Sequence, residues 1–247
     1  MNYYGHTDRM SILPQREALK RLGRQFLDAM LPATCLLCGA DAGGDLLCPP
    51  CGADLPELPA ARCPQCAVPS LHGETCGACL REAPHFDRTE ALFHYDFPAD
   101  RLIHALKYGH QLAVATWSAK RLAERLDSMA FDMLTPLPLH PERLRERGFN
   151  QSTEIARALG KQLKLPVERR HLRRVRATPP QAELPHKERH RNVRGAFECR
   201  ADFTGRHLLL IDDVMTSGAT VNECARILKR HGAATVTVAV VARALKR

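Results

Sequence analysis

Leu208-Leu-Leu-Ile-Asp-Asp-Val-Met-Thr-Ser-Gly-Ala-Thr220 is the stretch that decides the fold of this 247-residue chain. Four consecutive aliphatic residues, Leu208 to Ile211, have the pattern of a strand buried on both faces of a parallel sheet. Asp212 and Asp213 follow where such a strand emerges, the edge at which open α/β sheets bind ligands. Thr216, Ser217, Gly218, Ala219 and Thr220 are all small, and Val221, Ala225 and Leu228 then recur along one face of a helix. Small side chains let a phosphate approach the N–H groups of a helix's opening turn, where free donors and the dipole favour an anion. The hydroxyls of Thr216, Ser217 and Thr220 add donors. Carboxylates accept hydrogen bonds, so the acidic pair suits a vicinal diol and repels phosphate. Phosphate on the loop and diol on the acids is the layout of a ribose 5-phosphate site.

Two other readings account for less. An acidic pair after an aliphatic strand also holds Mg²⁺ in ATPases, but these need a G-x-x-x-x-G-K-[ST] loop. The chain has none, since Gly160-Lys161 is followed by Gln162. A strand–turn–helix with capping acids explains one acid, not two acids plus five consecutive small residues.

The length fits one large domain or two modest ones, and 45% hydrophobic content is ordinary for a globular protein. No apolar run reaches the length of a membrane span, and residues 1–30 lack the apolar core of a secretory signal. The expectation is a cytoplasmic protein without membrane insertion. The net charge of +9 is local: residues 142–194 hold fifteen Lys or Arg against six Glu, and the remainder balances. Such a block is either a solvated surface or a face for an anion, namely a diphosphate or nucleic acid.

Eight of the ten cysteines form two C-x₂-C-x₉-C-x₂-C sets. Cys35, Cys38, Cys48 and Cys51 are the first; Cys63, Cys66, Cys76 and Cys79 are the second, displaced by 28 residues at every position. The repeat marks two copies of one small module. Paired C-x₂-C turns present four thiolates tetrahedrally, which suits a structural Zn²⁺ in each set. A disulfide framework would need an oxidising compartment of which the chain gives no sign, and redox chemistry needs one such pair, not four. His72 reads as a surface residue, and Cys199 and Cys224 as packing residues.

Residues 15–30 carry a helical stripe (Leu19, Leu22, Phe26, Met30) on a basic background. From Glu90 the pattern becomes α/β. Strands are expected at Ala91–Phe97, Met133–Leu137, His207–Ile211 and Ala234–Val241, with helices at Arg101–Tyr108, Leu112–Ala130 and Thr153–Leu165. The alternation predicts an open, mostly parallel sheet with helices on both faces. Three domains follow: a helical extension over 1–32, a double zinc ribbon over 33–84, and an α/β domain over 85–247.

Three stretches add candidate chemistry. Leu102-Ile-His-Ala-Leu-Lys-Tyr-Gly-His110 puts Lys107 and Tyr108 at a helix end. Residues 138–152 place Arg143, Arg145 and Arg147 in a loop after a strand, where guanidinium groups suit a diphosphate. Residues 176–197 are basic and proline-marked, the length and composition of a lid or binding loop. A basic surface loop is the plainer reading of each.

The run 208–220 resembles the phosphoribosyl pyrophosphate signature of type I phosphoribosyltransferases at all thirteen positions. Three further features join it: the paired cysteine ribbons, the Lys107-Tyr108 helix end, and the Arg147-Gly148-Phe149-Asn150-Gln151 element that Arg143 precedes. With these and the Gln181…Phe197 stretch, the chain resembles the ComF family of bacterial proteins linked to DNA uptake and use. The resemblance covers about residues 33–245. It implies that Asp212 and Asp213 hold the ribose hydroxyls and that Thr216, Ser217, Gly218, Ala219 and Thr220 cradle the 5-phosphate. Mg²⁺ would accompany the diphosphate, and Lys107, Arg143 and Arg147 are the candidate cations for the leaving group. The acceptor and its general base stay open. The alternative is a zinc-ribbon protein that grips single-stranded DNA through residues 142–194, with a non-catalytic phosphoribosyl site; the low aromatic content of 5% counts against it. Competence or DNA-processing proteins are candidate partners.

Overall fold

The computed structural model describes residues 34–178 and 189–245. The helical stripe over 15–30 and the extension 1–32 lie outside the described residues, as do residues 179–188 of the expected lid. The chain divides into two compact units, Met1–Ala53 and Asp54–Arg247.

In the first unit a hairpin-like turn brings Cys35 and Cys38 to the short helix α1 (Pro49–Ala53), which carries Cys51. The Cys35 N–H donates to Ala40 O at 2.7 Å, the Gly39 N–H to Cys35 O at 2.9 Å and the Gly52 N–H to Cys48 O at 2.9 Å.

The second unit opens with the same device. The Cys63 N–H donates to Val68 O at 2.8 Å, the Ala67 N–H to Cys63 O at 2.9 Å and the Leu80 N–H to Cys76 O at 3.0 Å, so each bond recurs 28 positions on. Even the left-handed residue repeats, as Gly39 (φ 78°) and Ala67 (φ 57°). Helix α2 (Gly77–Arg81) then supplies Cys79.

The rest of this unit is built on β1 (Arg88–His94), α3 (Ala99–Tyr108), α4 (Ala113–Leu126), β2 (Met133–Pro136), α5 (Pro141–Arg147), α6 (Gln151–Leu163), β3 (Leu172–Arg174), α7 (Arg189–Val193), β4 (Phe197–Cys199), β5 (His207–Met215), α8 (Ala219–Arg230) and β6 (Thr235–Arg243). A four-stranded sheet has the order β1-β6-β5-β2, with every pairing parallel. β3 and β4 form a separate antiparallel pair.

Both faces of the sheet are buried, as the aliphatic run required. Leu208 and Leu210 join Val236, Val238 and Val240 in one cluster with Val221, Cys224, Ala225 and Leu228 of α8. The alternate residues Leu209, Ile211, Ala239 and Val241 point the other way and are equally buried. There α4 packs on α6 and β1, and α6 on β2 and β5. Trp117 of α4 has the expected packing role, stacked on Phe93 with centroids 5.9 Å apart.

Several expected boundaries move. The strand expected at Ala91–Phe97 begins at Arg88 and ends at His94, and β6 runs on to Arg243. β5 continues four residues past Ile211, because Val214 and Met215 still pair with Ala242 and Arg243 of β6. The arginines expected in a loop at 143–147 are on a helix instead. His140 caps α5 by accepting from the Glu142 N–H, Pro141 starts it, and left-handed Gly148 (φ 77°) ends it.

Candidate functional site

β5 lies between β2 and β6, so its carboxyl end is flanked by strand ends on both sides. Asp212 and Asp213 lie within the last four residues of β5, still inside the strand rather than past it as the aliphatic run suggested, and they point to opposite faces. Lys107, in the last turn of α3, reaches Asp213 with 3.0 Å between Nζ and Oδ2. Asp212 Oδ1 accepts from Ser152 Oγ at 3.0 Å and from the Asp213 N–H at 2.9 Å. Ser152 is in the first turn of α6, which Asn150 caps by accepting from the Ser152 N–H at 3.1 Å.

The pair is electrostatically strained. Burial, and then the neighbouring Asp213 carboxylate, push Asp212 up to about 7, against the pull of Lys107. Burial acts to lower Lys107, but the two carboxylates outweigh it and its pKa is raised. Lys107 therefore stays charged at neutral pH, and Asp212 is harder to ionise than a free carboxyl.

Past the acids, residues 214–221 and Asp212 bound a small cavity of about 20 Å³. Gly218 (φ 79°) makes the turn into α8, and a Cβ there would lie 2.7 Å from Met215 Cε. Ser217 Oγ accepts from the Ala219 N–H at 3.3 Å. Thr216 to Gly218 thus make the bend between the end of β5 and α8, and Ala219 and Thr220 open the helix.

The other candidate cations are placed less directly. Arg147 donates to Gln151 Oε1 at 3.0 Å and lies 5.6 Å from the ring centroid of Tyr108, the residue after Lys107. Arg143 is on the exposed side of α5, paired with Glu146 at 3.4 Å. The structure brings Lys107 to the acids and Arg147 beside the Lys107 helix end; it does not bring Arg143 into contact with either.

A cleft of about 770 Å³ opens beside the carboxyl end of β2. Arg157, Arg169, Arg173 and Arg174 line it together with Phe149 and Asn150. The Arg174 Nε is buried without a hydrogen-bond partner, and its guanidinium lies 5.5 Å from the Phe197 ring. The flanks of the 176–197 stretch meet nearby. Arg176 Nη2 donates to Asn192 O at 3.1 Å and to Arg194 O at 2.7 Å, and Glu223 of α8 accepts from the Gly195 N–H at 2.9 Å.

Sequence reasoning missed Ser152, Arg174 and Glu223 as parts of this region. Their partners are distant in sequence, and none sits in a local pattern that would mark it.

In each cysteine set all four sulfurs lie within 4.8 Å of one another. Cys38 and Cys48 Sγ are 3.6 Å apart, as are Cys66 and Cys76 Sγ. A Zn–S distance of about 2.3 Å sets tetrahedral S···S edges of about 3.8 Å, so both sets fit the ion. Burial opposes ionisation of Cys35, yet N–H donors from Cys48, Cys38 and Leu37 bring it down to about 6; Cys76 falls to about 7 by the same balance. His72 is exposed and Cys224 buried, as expected.

The parallel sheet, the acidic strand end and the small-residue turn define a domain of the phosphoribosyltransferase class, preceded by zinc ribbons. Sequence profiles agree: the double zinc ribbon domain matches residues 26–80 and the phosphoribosyl transferase domain residues 146–247. The chain belongs to the ComF family. It is 36% identical over 191 residues to the DNA utilization protein YhgH of Escherichia coli O157:H7, covering 74% of this chain and 84% of that protein. It is 30% identical over 209 residues to competence protein F of Haemophilus influenzae, covering 80% and 90%. Among solved structures, an adenine phosphoribosyltransferase from Leishmania donovani aligns at 16% identity over 55% of each chain, with a TM-score of 0.38. No helix among the described residues is long and apolar enough to cross a membrane.

Proposed function

We propose that the carboxyl edge of the sheet binds phosphoribosyl pyrophosphate, and that the protein is a phosphoribosyltransferase-like member of a DNA-uptake, DNA-utilisation or nucleotide pathway. The observation that carries this reading is the partly buried Lys107–Asp213/Asp212–Ser152 cluster, two strand residues away from the small-residue turn that opens α8. In this reading Asp212 and Asp213 accept from the ribose O2 and O3 hydroxyls. Thr216, Ser217, Gly218, Ala219 and Thr220 receive the 5-phosphate at the helix N-terminus.

Transfer would break the C1–O bond of the ribose, the electron pair leaving with the diphosphate as positive charge develops on the ring. It would form a bond from C1 to the acceptor, which gives up its proton to solvent or the released diphosphate. The acidic pair would favour the positive charge on the ring. Lys107 holds Asp213 in position and keeps a cation beside the acids, and Arg147 of α5 lies beside that helix end, whereas Arg143 would have to swing in from the exposed side of α5. Oxygen donors such as these carboxylates suit Mg²⁺, which when bound with the diphosphate would supply neutralising charge for the leaving group. The cleft beside β2 is the natural space for an acceptor.

The test is diphosphate release from phosphoribosyl pyrophosphate across a panel of bases and amines. The reading expects release above background with at least one acceptor, lost in Asp213→Ala. No release with any acceptor would leave binding without transfer.

One observation favours a second reading, in which the chain also grips single-stranded DNA. The 770 Å³ cleft carries four arginines and the ring of Phe149, a combination that can track phosphates and stack a base, and the relatives bear DNA-utilisation and competence names. Fluorescence anisotropy against labelled single strands should show an affinity that falls steeply with salt and is weakened by Arg173→Ala with Arg174→Ala. Salt-independent or absent binding would remove this reading.

A further inference from the structure

β6 is apolar and buried over most of its length, and it ends in a charge. Arg243 is only 6% exposed. Its Nε donates to Cys66 O at 2.8 Å. The two N–H groups of its Nη1 are shared among three carbonyls, Met215 O at 2.9 Å, Thr216 O, and Ala244 O at 2.5 Å. Cys66 is a ligand of the second tetra-cysteine set, whereas Met215 ends β5 and Thr216 begins the small-residue turn. One side chain therefore ties a zinc knuckle to the turn 150 residues further along.

The chemistry suits arginine and no other residue. A planar guanidinium presents several N–H donors in fixed directions, so it can hold carbonyls from separate segments at set angles. Burying that charge is tolerable because backbone carbonyls accept hydrogen bonds from it. Burial lowers the Arg243 pKa, and the sulfurs of Cys66, Cys76 and Cys79 act in the opposite direction.

Packing runs along the same route. Cys63, Cys66 and Cys79 share one buried cluster with Met215, Ala219 and Val221. Thr89 of β1 links both sides, its N–H donating to Pro64 O at 3.4 Å and its Oγ1 to Met215 Sδ at 3.9 Å.

We propose that Arg243 is a positioning residue that makes the shape of the 216–220 turn depend on the metal in the Cys63, Cys66, Cys76 and Cys79 set. With four sulfurs drawn around an ion, the Cys66 carbonyl is fixed and anchors one edge of the guanidinium. The opposite edge then holds the Met215 and Thr216 carbonyls, and through them the turn that precedes α8. Without the ion the C-x₂-C turn loosens, the anchor is lost, and the turn must be ordered at the expense of ligand affinity. The functional consequence rests on the reading of that turn as the phosphate cradle; the mechanical link does not.

The experiment compares the full zinc-loaded chain with Arg243→Gln and Arg243→Lys. Zinc content, amide hydrogen exchange over 208–220 and affinity for Mg²⁺–phosphoribosyl pyrophosphate are measured on each. Arg243→Gln should keep two zincs, speed exchange at 216–220 by about tenfold or more, leave 208–211 protected, and weaken the ligand about tenfold. Arg243→Lys, which restores charge but not the fork, should fall between. Should Arg243→Gln not fold, the wild-type chain is followed during chelation, where turn exchange should rise together with metal loss. Turn exchange and affinity within about twofold of wild type, or exchange that rises equally across the whole sheet, would overturn the proposal. A wild type that binds no ligand would instead refute the phosphate-site reading, and the exchange arm would still decide the mechanical link.

Discussion

Asp212 and Asp213 are neighbours held by different groups, and the difference sets how the site titrates. Asp213 has the Lys107 ammonium at 3.0 Å; Asp212 has a serine hydroxyl and one N–H. With its pKa raised from 3.8 to about 7, Asp212 favours the fold fully only below the lower value. That contribution is lost as pH rises from 3.8 through about 7, so ionising Asp212 costs stability while, in the proposed reading, it supplies a second carboxylate to accept from the diol. Affinity for phosphoribosyl pyrophosphate should therefore rise between pH 6 and 8 by up to about tenfold. Asp212→Asn should flatten that rise to whatever the ligand's own phosphate contributes; a titration calorimetry series over pH checks it. Lys107→Met removes the counter-charge from a buried acid and should lower unfolding free energy by about 3 kcal/mol in urea. At this scale the acids and the small residues were readable because they are contiguous. Ser152 and Arg243 were not, since their partners lie far away in sequence and only the folded sheet brings them together.

The elements show why some chemistry is placed by backbone rather than by side-chain identity. Gly218 turns the chain into α8 with φ 79°, and a methyl there would also press on Met215 Cε. Gly218→Ala should cost about 1–2 kcal/mol in urea unfolding and weaken the phosphate-bearing ligand more than a diol-only analogue. The length of β5 was underestimated from sequence because the aliphatic run stops at Ile211, while pairing with the longer β6 carries the strand to Met215. The arginines at 143–147, with Pro141 before them and Gly148 after, were expected in a loop that follows a strand. Those same residues are a helix start and a helix stop, so the segment is α5 and its arginines fan around a helix. That geometry takes Arg143 to the exposed side and leaves Arg147 beside Tyr108.

In the whole molecule, the cysteine repeat was fully legible, down to the 28-residue displacement that the backbone hydrogen bonds reproduce. What spacing could not reveal is where each copy packs. Cys63, Cys66 and Cys79 are core residues of the unit that contains the candidate site, whereas the first set belongs to the other compact unit. Cys79→Ser should therefore release one zinc and cost the Asp54–Arg247 unit about 4 kcal/mol or more in chemical denaturation. The parallel order β1-β6-β5-β2 gathers the rest of the account at one edge, where α3, α6 and β5 bring Lys107, Ser152 and the acids together. The most direct measurement of that claim is isothermal titration of the zinc-loaded chain with phosphoribosyl pyrophosphate and Mg²⁺, beside Asp212→Ala/Asp213→Ala. Saturable one-to-one binding that the double variant loses is the predicted result. A wild type that gives no binding heat and no ligand-dependent shift in thermal midpoint would contradict it.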